Sequence, residues 1–187
     1  KLYFHRLGTP QDEDELIFGG DEDEKHRYVY GVISEDGRYL AIGAANSTSG
    51  NRLYIQDLAD EETALVSILD DEEADASLID SDGDFLFIET NRDAPNGRIV
   101  RVSITNPGPD NWTDVIPETD EVLSASTGAG YFFANYMVDA MSQVKQFTRD
   151  GELVRVIALP DPGTASGFAG KIDQDKLDYS FTHYRLP

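Results

Sequence analysis

SEDGRYLAIGA at residues 34–44 and DSDGDFLFIET at residues 80–90 decide the fold, because both run from turn-forming residues into a block of apolar ones. Asp36-Gly37 in the first lies 46 residues before Asp82-Gly83 in the second, and TGAGYFFANYM and DQDKLDYSFTH follow at nearly the same spacing. A second series, NRLYIQDL, GRIVRVSI and SQVKQFTR, runs out of phase with the first. The chain is therefore built from a repeat of about 46 residues.

Each repeat predicts four antiparallel strands. Asp-Gly before a β-branched or aromatic run is typical of a tight type I′ hairpin turn, whose two central residues need positive φ. The predicted entering strands are Tyr28 to Ile33, Ala76 to Ile79, Val122 to Ser126 and Gly167 to Ile172; the predicted closing strands are Ala64 to Leu69, Trp112 to Ile116 and Glu152 to Leu159. A period in the forties with four short strands is typical of a β-propeller blade. The predicted fold class is all-β, a propeller segment of about four blade equivalents.

The repeat also predicts where each blade begins and ends. KLYFHRLG at Lys1 matches NRLYIQDL, so the sequence is expected to open on the third strand of a blade. The predicted organisation is one partial propeller domain over residues 1–187, with a blade fragment at 1–20, blades at about 27–70, 75–117 and 121–160, and a fragment at 166–187. Because there is no initiator Met, we expect this piece to come from a longer polypeptide.

Composition excludes several classes of partner and cofactor. Fifteen Lys and Arg against 36 Asp and Glu give a net charge of −21 at pH 7, so we predict no nucleic-acid partner, since phosphate binding needs cationic neutralisation. No run of 18 apolar residues is present, so we predict no membrane attachment. Zero Cys excludes thiol chemistry. DSDGD suggests calcium, but Gly83 is fourth and Asn91 twelfth where an EF-hand loop has Gly sixth and Glu twelfth. We therefore predict no metal and no cofactor, and interpret the acidic segments as solvated surface.

No catalytic residue is predicted within this chain. A serine hydrolase elbow needs the pattern G-x-S-x-G, and GTASGFAG at Gly163 is only a near match. The three histidines, His5, His26 and His183, share no spacing suited to a metal or a triad. Each is interpreted as a structural residue.

Six collinear motifs resemble the propeller domain of the prolyl oligopeptidase family of serine peptidases: YFHRLGTPQDEDEL, SEDGRYL, NRLYIQDL, TNRDAPNGR, NWTDVIPE and SGFAGK. The resemblance covers the chain from Leu2 to about Pro187. It implies a seven-bladed propeller that caps a C-terminal α/β-hydrolase domain of the same polypeptide, which carries a Ser, Asp and His triad and cleaves oligopeptide substrates after proline. It also implies a soluble, cytoplasmic protein, with the periplasm as the alternative location.

The same resemblance implies a set of site residues. Tyr28, Ala45 and Thr48 align with side chains that line the outer substrate pocket on the propeller rim, and Arg92 is expected in a loop at the domain interface. The family often has a basic residue at the position of Ala45. Two alternatives stay open: Tyr28 as a strand residue of the blade core, and Arg92 as part of a loop held by structural hydrogen bonds. The rim itself is predicted from strand order to comprise residues 19–27, 43–51, 70–75, 90–97, 135–142 and 160–166.

Two further hypotheses come from the sequence. The alternative function is a protein-interaction propeller without peptidase activity, although Trp112 is the only Trp and no Gly-His pair opens a repeat, as a WD-type propeller would require. The second hypothesis is a strand-exchanged homodimer of the isolated chain. Closing four blades into one ring needs about 90° per blade, whereas two chains sharing half-blades need about 45°, close to the about 51° of a seven-bladed ring.

Overall fold

The structure, a computed structural model, describes residues 1–60 and 63–183. Its strands are β1 (Leu2–Phe4), β2 (Glu15–Phe18), β3 (Tyr28–Ile33), β4 (Tyr39–Ala45), β5 (Arg52–Asp57), β6 (Val66–Leu69), β7 (Ala76–Asp82), β8 (Phe85–Thr90), β9 (Arg98–Ser103), β10 (Thr113–Ile116), β11 (Leu123–Gly128), β12 (Tyr131–Val138), β13 (Met141–Phe147), β14 (Leu153–Val156), β15 (Thr164–Ser166) and β16 (Ser180–Thr182). Short 3₁₀ helices lie at Gln11–Glu13, Glu22–Glu24 and Pro109–Asn111.

These strands form the antiparallel sheets that the repeat predicts. Strands β3 to β6, β7 to β10 and β11 to β14 make three four-stranded sheets in which chain neighbours pair, while β1–β2 and β15–β16 are two-stranded. The all-β propeller fold class is confirmed, and β3 has the predicted bounds. The closing strands β6, β10 and β14 begin one or two residues later than predicted.

The hairpin turns follow the predicted pattern only in part. At Ala129-Gly130 both residues have positive φ, 53° and 76°, as a type I′ turn requires. At Asp36-Gly37 only Gly37 does, and its N–H donates to Ser34 O at 2.9 Å. The expected type I′ turn is therefore wrong there. The side chain of Ser34 accepts from the Tyr39 N–H at 2.9 Å and supports a longer loop instead.

The predicted entering strand at Gly167 to Ile172 is wrong. Gly167 has φ +93°, and the backbone that follows makes single hydrogen bonds to the end of β11 and to the β11–β12 turn, not the ladder of a paired strand. Gly170 N–H donates to Thr127 O at 3.0 Å, and Ala129 N–H donates to Lys171 O at 2.9 Å. The strand in this region is the shorter β15, which pairs with β16.

The chain divides into two compact units, unit 1 over Lys1–Ser77 and unit 2 over Leu78–Pro187. The second strand is the most buried strand of each four-stranded sheet: six of seven residues are buried in β4, four of six in β8 and four of eight in β12. The unit 1 core includes Phe18, Ile42 and Ala44. The two clusters of unit 2 contain Phe87, Ile99, Ile116, Leu123, Phe132, Ala134 and Tyr136, and Phe133, Val144, Ala165 and Phe168. Apolar residues on both faces of a strand are expected where sheets stack face to face. The single-domain organisation and the blade limits stay predictions.

Candidate functional site

Three of the four predicted site residues meet in one cavity of unit 1. Tyr28 begins β3 and Ala45 ends β4, and the two residues are paired directly across the antiparallel sheet. Thr48 lies in the loop that joins β4 to β5. All three line a cavity of about 530 Å³, which we call the rim cavity. Its other lining residues are Tyr30, Ser47, Gly50, Asn51, Asp75 and Ser77.

Two tyrosines of β3 form the aromatic wall of the rim cavity. Tyr28 and Tyr30 are two residues apart on the strand, so they share a face, and they are 48% and 43% exposed. The Tyr30 ring lies over Gly43, its partner on β4, because a Cβ at Gly43 would lie 2.1 Å from Tyr30 Cζ. Gly43 is therefore required for the position of this ring. Tyr28 is not part of the core in the described residues of unit 1, so the alternative in which it is a strand residue of the blade core is wrong.

Glu72 holds the loop at residues 46–50, which we call the cavity loop, through hydrogen bonds. Its carboxylate accepts hydrogen bonds of 2.8 Å from the Asn46 backbone N–H and from Asn46 Nδ2. The backbone bond from Asn46 comes first among the causes that hold the pKa of Glu72 below its usual range, followed by the side-chain bond and the nearby His26 and Arg52. The loop that carries Ser47 and Thr48 is thus fixed from a neighbouring segment of the chain.

His26 contacts both Asn46 and Glu72. Its side chain is only 3% exposed, and its Nδ1 accepts from Asn46 Nδ2 at 3.2 Å and lies 3.5 Å from Glu72 Oε1. The ring stacks on Phe18, with centroids 6.4 Å apart. The other ring nitrogen, Nε2, is buried without a hydrogen-bond partner in the described residues.

A second set of bonds holds the other end of the cavity loop. Asp75 Oδ1 accepts from the Gly50 N–H at 2.9 Å, and Asn51 exchanges two side-chain hydrogen bonds of 3.0 Å with the backbone of Ala76. Gly50 has φ +75°, and a Cβ there would lie 1.9 Å from Glu72 O. Only glycine fits this close approach.

Of the nine lining residues, Tyr30 and Ser77 lie outside the predicted rim segments, and Asp75 lies inside one of them but was not singled out as a site residue. Tyr30 was within reach of prediction, because strand periodicity places it on the same face as Tyr28. Asp75 lies in the predicted rim segment 70–75, but that segment contains five carboxylates and no strand periodicity to select one of them. Tertiary packing decides which of them lines the cavity.

Arg92 lies in unit 2, in the loop that joins β8 to β9. Its backbone N–H donates to Thr90 Oγ1 at 3.1 Å. The same loop is closed by Gly97 N–H to Ala94 O at 2.7 Å, and Asn96 N–H donates to Glu118 Oε1 at 2.7 Å. These contacts are those of a loop held by hydrogen bonds. A place for Arg92 at a domain interface stays a prediction.

The remaining titratable groups are dispersed. His5 Nδ1 pairs with Asp14 at 2.6 Å, and His183 Nδ1 lies 3.8 Å from Asp161. Burial raises the pKa of Glu89, whose carboxylate accepts from the Ala125 N–H at 3.1 Å. In residues 1–60 and 63–183, no three His, Asp or Glu side chains are grouped so as to hold a metal ion. No helix in that part of the chain is long and apolar enough to cross a bilayer.

Four-stranded antiparallel sheets at a period of about 46 residues define a segment of a β-propeller. Residues 1–187 match the family model described as "Prolyl oligopeptidase, N-terminal beta-propeller domain". The chain belongs to this family.

Relatives and solved structures agree with this assignment. The chain is 51% identical to a prolyl endopeptidase of Elizabethkingia miricola over all 187 of its residues and 26% of the relative's length, and 31% identical to prolyl oligopeptidase A of Galerina marginata over 88% of the chain and 23% of the relative. A structure from a study of two prolyl endopeptidases superposes with a TM-score of 0.85 at 26% identity, over 97% of this chain and 27% of the other. The chain thus spans about a quarter of the length of the curated relatives it matches.

Proposed function

We propose that this chain is the substrate-gating propeller segment of a serine endopeptidase that cleaves short peptides after proline. The catalytic triad then lies in a C-terminal α/β-hydrolase domain of the same polypeptide, and the chain itself contributes no catalytic residue. The parent enzyme works in the cytoplasm, with the periplasm as the alternative. A propeller over the cleft admits oligopeptides, rejects folded proteins and limits the water around the reacting bond.

The observation that carries the proposal is the rim cavity. Tyr28, Ala45 and Thr48, expected from family resemblance to face substrate, line one cavity together with groups that suit an extended peptide. The tyrosine rings offer flat apolar surface, and the hydroxyl groups of Ser47, Thr48 and Ser77 are donors and acceptors for a peptide backbone. Membership of a family whose relatives are named prolyl endopeptidases supports the same conclusion.

Activity measurements on two proteins test the proposal. The isolated 187-residue chain should not hydrolyse a chromogenic Gly-Pro substrate, whereas the parent polypeptide should do so and lose activity to a serine-directed inhibitor. Inhibitor-sensitive turnover by the isolated chain would contradict the absence of catalytic residues. An inert parent polypeptide would instead favour the interaction-propeller alternative.

We also propose that the isolated chain forms a strand-exchanged homodimer. The support is that β1–β2 and β15–β16 are two-stranded among the described residues, where the repeat elsewhere gives four strands. Unpaired sheet edges recruit other strands. The charge of −21 opposes association, and salt should favour the dimer by screening it. Light scattering behind a sizing column at low and high salt tests this, and a compact 20.7 kDa monomer under both conditions would rule the dimer out.

A further inference from the structure

The connection between β12 and β13 in unit 2 differs from the equivalent connections of the other two four-stranded sheets. β12 and β13 stay paired up to Val138 and Met141, so Asp139 and Ala140 alone form the turn. In the other two sheets, residues 45–51 and 91–97 separate the last paired residues. We call residues 137–142 the hairpin tip. It is a strand pair that continues to its turn, whereas the other two connections are loops.

The hairpin tip exposes apolar side chains on both of its faces. Met137 and Met141 are 48% and 37% exposed, and they are the only two methionines in the sequence. Met137 is paired with Ser142 and Met141 with Val138, so the two methionine side chains point to opposite faces. Methionine is enriched at protein interfaces because its unbranched side chain adapts to an irregular surface. This arrangement therefore indicates a contact surface.

Backbone hydrogen bonds hold both edges of the hairpin tip. Met137 N–H donates to Val122 O at 3.2 Å, and Ser142 N–H donates to Gly163 O at 2.8 Å. Asp139 and Ala140 have φ of 48° and 62°, the left-handed conformation that a type I′ turn requires at both central residues. The hairpin tip is thus ordered before a partner binds, which lowers the entropic cost of a contact.

We propose that the hairpin tip inserts into an apolar groove of the C-terminal domain of the parent polypeptide. The inference rests on the proposed function and adds the surface through which the propeller contacts that domain. This chain spans 26% of the length of the Elizabethkingia miricola relative, so a parent of similar length supplies the covering domain. The hairpin tip also occupies the same place in the repeat as the cavity loop and lies in the predicted rim segment 135–142.

The chemistry of the hairpin tip favours a folded domain over a peptide as its partner. The rim cavity is concave and carries the hydroxyl groups of Ser47, Thr48 and Ser77, which suit a peptide backbone. The hairpin tip instead ends in a turn, and its backbone is already paired across the two strands up to that turn. Apolar side chains on both faces of such a strand pair lose their contact with water only in a groove of a packed protein surface.

Oxidation of the two methionines in the parent polypeptide tests whether the hairpin tip is covered. Hydrogen peroxide transfers one oxygen atom to a thioether sulfur, giving sulfoxide and water, and mass spectrometry follows the rate at each residue. We expect Met137 and Met141 to be oxidised at least about tenfold more slowly in the parent bound to a serine-directed inhibitor than in the parent unfolded in urea, because susceptibility follows exposure. An uncovered hairpin tip would react within about threefold of the unfolded rate.

A control probe is available at Leu58, an exposed residue directly after β5, the third strand of its sheet. The third strand ends on the side of the sheet opposite to the connection between the second and third strands, so Leu58 is outside the proposed contact. Leu58→Met should be oxidised within about threefold of the unfolded rate in the same sample. Protection of Met137 and Met141 beside a reactive control would show local covering.

Cross-linking identifies what covers the hairpin tip. Photo-methionine, a methionine analogue that carries a diazirine, is incorporated in place of methionine in the parent polypeptide. Illumination should link positions 137 and 141 to the C-terminal domain of the same polypeptide. Links from these positions only to a second copy, or only to other propeller residues, would overturn the inference.

Three variants of the parent measure the consequence for activity. Met141→Glu places a carboxylate in the contact and should lower kcat/KM for proline peptides about tenfold. Met141→Leu retains an apolar side chain of similar volume and should preserve kcat/KM. Leu58→Glu makes the acidic change at the control position and should leave kcat/KM unchanged. Equal losses for Met141→Glu and Leu58→Glu, in variants that remain folded, would overturn the inference.

The outcomes separate this inference from the proposed function. Rapid oxidation of Met137 and Met141 in a parent that cleaves proline peptides would overturn the inference alone. If the parent cleaves no peptide, the proposed function fails, and photo-methionine cross-linking of the inhibitor-free parent then decides the inference. Links from the hairpin tip to the C-terminal domain would still support it, whereas links elsewhere, or none, would overturn it.

Discussion

The cavity loop of unit 1 and the loop over residues 91–97 of unit 2 occupy the same place in the repeat, since each joins the second strand of its sheet to the third. Both are tied to the segment that follows their own sheet through an asparagine. Asn46 donates from its backbone and side chain to Glu72, and Asn96 donates from its backbone to Glu118 and from its side chain to Thr119 O at 3.0 Å. The anchoring chemistry is thus shared by the two units.

The two loops differ in the side chains that lie beside them. Gly43 in unit 1 leaves room for the Tyr30 ring, whereas the residue 46 positions later is Glu89, whose partly buried carboxylate accepts from the Ala125 N–H. In both units the repeat thus conserves the hydrogen bonds that hold the loop between the second and third strands. Single side chains on the second strand determine whether a cavity lies beside that loop. A substrate-facing cavity in one blade does not require an equivalent cavity in the next.

The largest expected effect concerns the backbone contact of the cavity loop. Gly50→Ala introduces a Cβ 1.9 Å from Glu72 O at φ +75°, so the loop must move, and we expect a loss of about 3 kcal/mol in the free energy of unfolding. Gly37 has the same φ of 75°, but no atom lies within 4 Å of the position that a Cβ would take there. Gly37→Ala should therefore cost only about 1 kcal/mol.

Urea unfolding of the two glycine variants measures this difference. Because φ is the same at both positions, the excess cost of Gly50→Ala is attributed to the contact with Glu72 O. Equal losses for the two variants would mean that the cavity loop is not packed against this carbonyl.

A second, smaller effect is expected at Glu72. Glu72→Ala removes the acceptor for both Asn46 donors and should cost about 2 kcal/mol, whereas Glu73→Ala alters an exposed neighbour and should cost little. The pKa of Glu72 is lowered in the folded state. Its stabilisation is therefore fully present above the usual glutamate pKa and is lost as the pH falls through the lowered value. Unfolding measured across a pH series should show that the loss of unfolding free energy caused by Glu72→Ala becomes smaller in acid. A loss that is independent of pH would contradict the stabilising role of the Glu72 carboxylate.

Glu89 should respond to pH in the opposite direction. Burial raises its folded pKa, so ionisation destabilises the fold as the pH rises from the usual glutamate value through the raised one. Glu89→Gln retains an acceptor for Ala125 N–H and should stabilise the chain at neutral pH, with the gain vanishing in acid. Glu152→Gln, at an exposed position of unit 2, is the control. Destabilisation by Glu89→Gln at neutral pH would show that the charged form is the favoured one.

Sequence patterns predicted the sheets better than the site. Turn residues and alternating apolar runs recur with the repeat, so the four-stranded sheets and the exact bounds of β3 were predictable. The pattern failed at Gly167 to Ile172, where bonds to Thr127 and Ala129 replace strand pairing. The site depends on contacts such as Tyr30 over Gly43 and Asp75 with Gly50, which join residues on different segments of the chain, so no local pattern predicts the contacts themselves.

The central claim is that the rim cavity contacts the outer part of a peptide, and Ala45→Arg in the parent polypeptide tests it most directly. The Arg side chain should project into the cavity and raise KM for longer, uncharged proline peptides by about fivefold, or about 1 kcal/mol, while KM for dipeptide substrates stays unchanged. Ala59→Arg, the same substitution in an exposed loop of unit 1 outside the cavity, is the matched control and should change neither value. A rise in KM confined to the longer peptides is the predicted result, and equal changes for long and short substrates would contradict the claim.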